Sequence, residues 1–156
     1  RLIYAVLSTN CWKRADSRKI VLSLKPSFAP YDIALIQISN DEAVLEYLRK
    51  LMGELDKYGI RIYTDFSSTA IGKRYVRVDQ IGIKYCVTID FNTVKNDILW
   101  ARDRDTTMQI TFENTDYSIK ALANNVNVDT IKELQQKIDV NFHVEDKKKA
   151  NHKISL

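Results

Sequence analysis

Asp32-Ile-Ala-Leu-Ile-Gln-Ile38, Ser39-Asn-Asp41, the stretch Val44 to Tyr58, Gly59 and Ile60-Arg-Ile-Tyr-Thr64 form the segment that decides the fold. Its opening run is apolar, of strand length and without in–out alternation, as expected of a strand buried on both faces. Ser39, Asn40 and Asp41 carry side-chain oxygens that accept from the free amides at a helix start. Val44, Leu48, Leu51, Leu55 and Tyr58 recur every three or four residues as one apolar stripe, and Gly59 stands where the helix should stop. Ile60 to Thr64 is β-prone again. Strand, helix, strand in this order predicts a right-handed crossover joining two parallel strands.

Toward the C-terminus the α/β alternation continues. Ser67 or Ser68 can cap a helix with Ile71, Tyr75, Val78 and Ile81 on its apolar face, from which Lys73, Arg74 and Arg77 project. Ile83 to Asp90 is a third strand, and Ile98–Arg104 with Thr107–Phe112 reads as a hairpin through the polar turn Arg104-Asp105-Thr106. Tyr117–Ala123 and Thr130–Ile138 are helical segments, and beyond Phe142 the chain turns polar and is expected to fray. Toward the N-terminus, Leu2 to about Lys13 suits a helix, Arg14 to Arg18 a loop and Ile20 to Leu24 a short strand. Pro26 and Pro30 then break the chain. A domain boundary falls between Arg14 and Pro30.

Composition narrows the function. The 156 residues are 45% hydrophobic and 28% charged, with only 4 Gly and 2 Pro, the mix of a folded domain and not of a linker or fibre. No window approaches the apolar length of a membrane helix, and the opening lacks a signal peptide, so no membrane partner is expected. Cys11 and Cys86 are expected to be two buried thiols, and with His143 and His152 they lack metal-ligand spacing. Ile71-Gly72-Lys73 is a lone Gly-Lys without the loop of a phosphate cradle. Neither histidine has a nucleophile partner, and Asp103 and Asp105 flank Arg104 as ion-pair partners rather than as an acid and base. No catalytic residue and no metal site is expected.

The net charge of +4 is compatible with nucleic acid. Lys73, Arg74 and Arg77 lie together on one helix, and Arg102 and Arg104 share one strand face. Phe66, Tyr75, Phe91 and Trp100 nearby are candidates to stack on splayed bases. Tyr75 keeps period with the core face, while Phe66 and Trp100 are as readily exposed as buried. By pattern, the chain is either an RNA-binding domain or a protein-interaction domain of the same composition.

Three blocks carry a resemblance: Ser67-Ser-Thr-Ala-Ile-Gly-Lys-Arg-Tyr-Val-Arg-Val-Asp-Gln-Ile-Gly82, Val87-Thr-Ile-Asp-Phe91 and Arg102-Asp-Arg-Asp-Thr-Thr-Met-Gln-Ile110. In order and spacing they resemble the C-terminal anticodon-binding domain of eukaryotic- and archaeal-type glycyl-tRNA synthetases. The likeness runs from Arg1 to roughly Ile138, and Phe28-Ala-Pro-Tyr-Asp-Ile-Ala34 resembles that family's approach to its first strand. Arg1-Leu-Ile-Tyr-Ala-Val6 looks like the end of class II motif 3, whose arginine contacts ATP. Thr69-Ala70 stands where Gly-Ser is common, Trp100-Ala101 where Thr-Leu is usual, and Thr111 where an arginine often follows Gln-Ile.

The resemblance implies an α/β fold with a mixed, mostly parallel five-stranded sheet and flanking helices. It divides the chain into a catalytic-domain remnant with linker (1–29), an anticodon-binding domain (30–142) and a polar tail (143–156). It implies binding of the glycine tRNA anticodon stem-loop, whose second and third positions are cytosines. Arg102, Asp103, Arg104 and Asp105 are expected at the anticodon, and Lys73, Arg74 and Arg77 on the phosphates. Asp65, Ser67 and Ser68 are expected where ligands gather at strand ends, and Trp100 and Gln109 are further residues expected to bind the tRNA. Asp79, Thr88 and Asp90 are expected to bond within the domain instead. The chain needs no cofactor, while the longer parent would use ATP and Mg, with Arg1 at the ATP. The parent is expected to be a homodimer and the chain a monomer, in the cytoplasm, with mitochondria as a second compartment. The competing reading is a processivity or protein-interaction module like the accessory subunit of the mitochondrial DNA polymerase.

Overall fold

In a computed structural model, residues 1–15, 17, 19–114 and 116–124 are described. Thr130–Ile138, His143, His152 and the tail lie outside the described residues. A helix α1 (Leu2–Asn10) leads into a hairpin of β1 (Cys11–Lys13) and β2 (Ile20–Leu22), followed by a 3-10 turn at Pro26–Phe28. Then come β3 (Ile33–Gln37), α2 (Glu42–Asp56), β4 (Ile62–Thr64) and α3 (Ile71–Ile81). The chain continues through β5 (Tyr85–Ile89), α4 (Phe91–Asn96), β6 (Ile98–Asp103), β7 (Gln109–Glu113) and α5 (Asp116–Ala123).

The main sheet has five strands in the order β4-β3-β5-β6-β7. β3 is parallel to both β4 and β5, whereas β5–β6 and β6–β7 are antiparallel, so β6 alone runs against the others. Both parallel strands beside β3 arrive through a helix, as a parallel crossover requires. All of β3 and β5 is buried, which explains why their sequences show no alternation.

Each face of the sheet has its own core. On one, Val44, Leu48, Leu51 and Leu55 of α2 meet Ile33, Leu35, Val87, Ile89, Leu99 and Phe112. Full burial of each such side chain stabilises by about 1.5–3 kcal/mol relative to exposure. On the other, Val78 of α3 packs on Ala34, Ile36 and Cys86. This second face is covered only on its β3–β5 half, and Trp100 and Gln109 on the β6–β7 half remain exposed.

Local chemistry departs from the sequence expectations at several points. Tyr58 lies past the end of α2 and is exposed, because the helix ends at Asp56 and the chain turns through Gly59 at φ 69°. α3 begins at Ala70 with no side-chain cap, so neither Ser67 nor Ser68 caps it. The Ser67 hydroxyl accepts from Arg77 instead, and its amide donates to Asp65. α4 has no apolar stripe to announce it, being a single short turn and a half closed by a reciprocal box between Asp90 and Thr93. Cys86 is buried as expected, but Cys11 on the short β1 is exposed.

The hairpin before Pro26 is docked on the domain. Val21 is fully buried, and Leu24 lies against the turn that ends α3. Arg14 lies in a loop as expected, yet it is buried.

Candidate nucleic-acid interface

Strands β4, β3 and β5 end at one edge of the sheet, and the residues that follow them are Asp65, Ile38 and Asp90. α3 starts at the same edge, since it runs back against the strands it connects. The edge is polar and aromatic at once: Phe66, Ile38 and Phe91 are all more than half exposed there. In open α/β sheets such carboxyl ends are where ligands bind.

A cleft of about 220 Å³ opens between this edge and the uncovered half of the sheet. Ile38, Tyr75, Thr88, Asp90, Trp100, Arg102 and Gln109 line it. Trp100 and Thr88 are directly opposite on β6 and β5, and Gln109 is opposite Arg102, so these side chains share one face. Trp100 is 38% exposed and lines the opening. The Tyr75 hydroxyl bonds Thr88 Oγ1 at 2.8 Å, and the Arg102 guanidinium lies 4.9 Å from the centre of the Tyr75 ring. Asp90 caps α4 with Oδ1, which accepts from the Thr93 amide at 2.8 Å. Asp79, Thr88 and Asp90 therefore do bond within the domain, but Thr88 and Asp90 also form the cleft wall. Ile38, Thr88 and Asp90 were the site residues that sequence pattern did not single out for ligand. Asp90, at the carboxyl end of a strand, carried the positional signal.

The arginines are arranged differently from the expected solvent-facing set. Arg102 is 91% buried by its own 9% exposure, and it grips Asp79 with both terminal nitrogens, at 2.8 and 3.1 Å. Arg104 is buried and donates to the carbonyls of Gly82 at 2.8 Å and Leu22 at 3.2 Å, to Ser23 Oγ and to Asp105. Asp103 is buried and accepts from the amides of Asp105 and Thr106, closing the β6–β7 turn. Arg104 and Asp103 thus build the hairpin and are turned away from solvent. Within that block, Arg102 reaches the cleft and Asp105 the surface. Burial alone would raise the Asp105 carboxyl, but its bonds to Arg104 outweigh this and hold it below the usual range.

At the other end of the edge, Arg74 does not project. It is buried and donates to Gln37 O at 2.7 Å, to Gln37 Oε1 and to Asp65 O, tying the end of β3 to the end of β4. Its buried Nε makes no hydrogen bond and stands 3.8 Å from Asp65 Oδ1. Asp65 is buried as well, and burial would raise it. The Ser67 hydroxyl and amide, Arg77 and Arg74 together hold it below the usual carboxylate range. Arg77 reaches Asp65 at 2.9 Å, Ser67 Oγ at 2.9 Å and Thr69 Oγ1, yet keeps 45% of its side chain exposed. Lys73 and Ser68 are exposed. Lys73, Arg77 and Ser68 are therefore the members of this group open to an anion. Arg1 sits exposed at the start of α1, with its carbonyl accepting from Ala5.

The described residues contain no cluster of His, Cys, Asp and Glu able to hold a metal, and no helix among them is long and apolar enough to cross a membrane. What the interface offers is recognition: stacking faces, an acceptor in Asp90, mixed donors in Gln109 and Arg102, and cations at one flank.

Comparison with known proteins fits this arrangement. The model of the anticodon binding domain family matches residues 32–127. The chain is 33% identical over 115 residues to the glycine–tRNA ligase of Methanothrix thermoacetophila, covering 72% of this chain and 20% of that protein. It is 36% identical over 111 residues to the mitochondrial glycine–tRNA ligase 1 of Saccharomyces cerevisiae, covering 70% and 16%. Against the glycine–tRNA ligase of Borreliella burgdorferi it is 42% identical over 93 residues, covering 59% and 20%. The chain thus spans about a sixth to a fifth of the length of these relatives. The fold is that of part of prolyl-tRNA synthetase from Cryptosporidium parvum, solved with L-proline and AMP, at a TM-score of 0.57 and 19% identity, covering 74% of this chain and 24% of that one. A five-stranded mixed sheet, a cleft at its carboxyl edge and a family match across both make this chain a member of the anticodon-binding domain family, with its sequence relatives among glycyl-tRNA synthetases.

Proposed function

We propose that this chain reads the anticodon of glycine tRNA as a domain of a glycyl-tRNA synthetase. The observation that carries the reading is the cleft at the carboxyl edge, which combines an exposed indole with the Asp90 carboxylate and the Gln109 amide. An unstacked cytosine presents an N4 donor beside N3 and O2 acceptors, and the cleft supplies partners of both kinds. Trp100 and Tyr75 flank the base, Asp90 accepts from N4, and Gln109 or Arg102 donates to the acceptors. Lys73, Arg77 and Ser68 hold phosphate at the flank, with Phe66, Ile38 and Phe91 as further apolar surface for splayed bases.

ATP-dependent attachment of glycine to tRNA is proposed for the longer protein, in which Arg1 would lie at the ATP and Mg would accompany it. The proposed compartment is the cytoplasm and, as the name of the yeast relative suggests, mitochondria as well. The chain by itself is proposed to be a monomer, and a concentration-independent dimer in sedimentation would overturn that.

A stacked base contributes about 1–3 kcal/mol. Two such bases with a few phosphate contacts reach roughly 6–8 kcal/mol, a dissociation constant near micromolar. The test is filter binding of the chain to a glycine tRNA transcript and to one with guanines at the second and third anticodon positions. A preference of about tenfold or more for the unaltered tRNA is expected. Equal binding would reject anticodon reading and favour the protein-interaction module.

A further inference from the structure

Arg14 comes from the loop between β1 and β2, outside the residues matched by the family model, yet it is buried at the back of the cleft wall. Its Nη2 lies 3.0 Å from Asp79 Oδ2, across 65 residues of sequence, and also donates to the carbonyl oxygen of Arg104. Asp79 is the carboxylate that Arg102 grips, and Arg102 lines the cleft while Arg14 does not. One buried carboxylate therefore stands between two guanidiniums, with Oδ2 shared by both.

We propose that Arg14 is a positioning residue for the base cleft, so that the unit reading the RNA includes the β1–β2 hairpin. This rests on the anticodon reading above. A carboxylate held by one arginine can swing with it, because both members of the pair move as a unit. Pinned from behind by Arg14, which is itself anchored on the Arg104 carbonyl, Asp79 becomes a fixed post and Arg102 is locked against the Tyr75 ring. Precise placement of a donor is what discriminates bases, whereas phosphate attraction tolerates displacement. Losing Arg14 should therefore reduce specificity and leave the ionic part of binding, carried by Lys73 and Arg77, in place.

The experiment compares the full chain with Arg14→Met and Arg14→Lys. For each, binding to the two transcripts is measured across a salt series, and the Arg102 Nε–H resonance is followed by NMR without RNA. Arg14→Met is expected to lose about tenfold of the preference for the unaltered anticodon, the scale of one good base contact. Its dependence on salt should be unchanged, and its Arg102 signal broadened or shifted. Arg14→Lys, which keeps a donor and the charge, should recover part of both. A purely structural role would lower the unfolding midpoint and leave the preference intact, and that result overturns the proposal. If the unaltered chain shows no preference, the anticodon reading fails by itself. The NMR arm then decides alone: an Arg102 signal identical in all three chains overturns the positioning role, and a changed one upholds it. Should Arg14→Met not fold, the Arg14→Lys chain carries the same comparison.

Discussion

Replacing Gly82 with alanine is expected to destabilise the chain by about 2–5 kcal/mol, and the structure separates this cost into two parts. Gly82 ends α3 at φ 91°, a left-handed conformation that costs an L residue about 1–2 kcal/mol. A Cβ there would also meet Leu24 Cδ1 at 3.0 Å, Leu24 Cγ at 3.1 Å and the backbone oxygen of Leu22 at 3.2 Å. The leucine can turn aside, but the carbonyl belongs to the docked hairpin and also accepts from Arg104. Overpacking of this kind adds about 1–3 kcal/mol. Gly59 is the control: it has φ 69° but nothing within 4 Å of its Cβ position, so Gly59→Ala should show the conformational cost alone. Gly72, in the first turn of α3 with open space and no positive φ, should gain about 0.5–1 kcal/mol on becoming alanine. Urea unfolding of the three variants beside the parent gives the ranking, with the slope expected to be constant. Equal losses for Gly59→Ala and Gly82→Ala would refute the reasoning, because they would mean the hairpin does not press on the end of α3.

Trp100→Ala should weaken tRNA binding by about 1–3 kcal/mol, the contribution of one stacked base, with the salt slope unchanged. Lys73→Ala should do the reverse, lowering the slope by about 1 while sparing the anticodon preference, and a matched salt series on both separates them. Asp65 and Asp105 titrate below their usual range in the fold, so the unfolded chain takes up their protons first as pH falls. Their stabilisation is full above about pH 4, the unfolded value, and is lost as pH drops through the lowered folded values. The urea midpoint should fall over that range and fall less for Asp65→Asn; a flat profile would contradict the stabilising ion pairs of Asp65 and Asp105. Burial pushes the Cys86 thiol up to about 12, while Cys11 is exposed. Iodoacetamide at about pH 8 should then label Cys11 alone in the native chain and both after unfolding, as mass spectrometry would show.

Much of the architecture was legible because it is written in local periodicity. The unbroken apolar runs at β3 and β5 and the stripe Val44, Leu48, Leu51, Leu55 need no partner to be recognised, since backbone geometry sets their spacing. Gly59 and the polar turn before β7 announced their turns in the same way. The family likeness was legible too, as three blocks in register.

The fate of the charges was not. Arg77 and Arg74 sit three residues apart on one helix, yet one is half exposed and the other buried. The difference lies in what stands opposite: the ends of β3 and β4 offer Arg74 two carbonyls, which no reading of α3 alone contains. Arg102 lies on β6 but Arg104 falls in the turn just past it, and Asp79 and the Gly82 carbonyl hold the two inward. A guanidinium is as much at home in a filled hydrogen-bond cage as in water, so its sequence position does not say which it occupies. Sequence by itself determined the strands and helices from β3 to β5 and the family likeness, but not α4 or the strand β1, where a helix to about Lys13 was expected. Tertiary structure alone decided which of the basic residues hold the domain together and which are left to meet an RNA, because that choice depends on acceptors brought from distant parts of the chain.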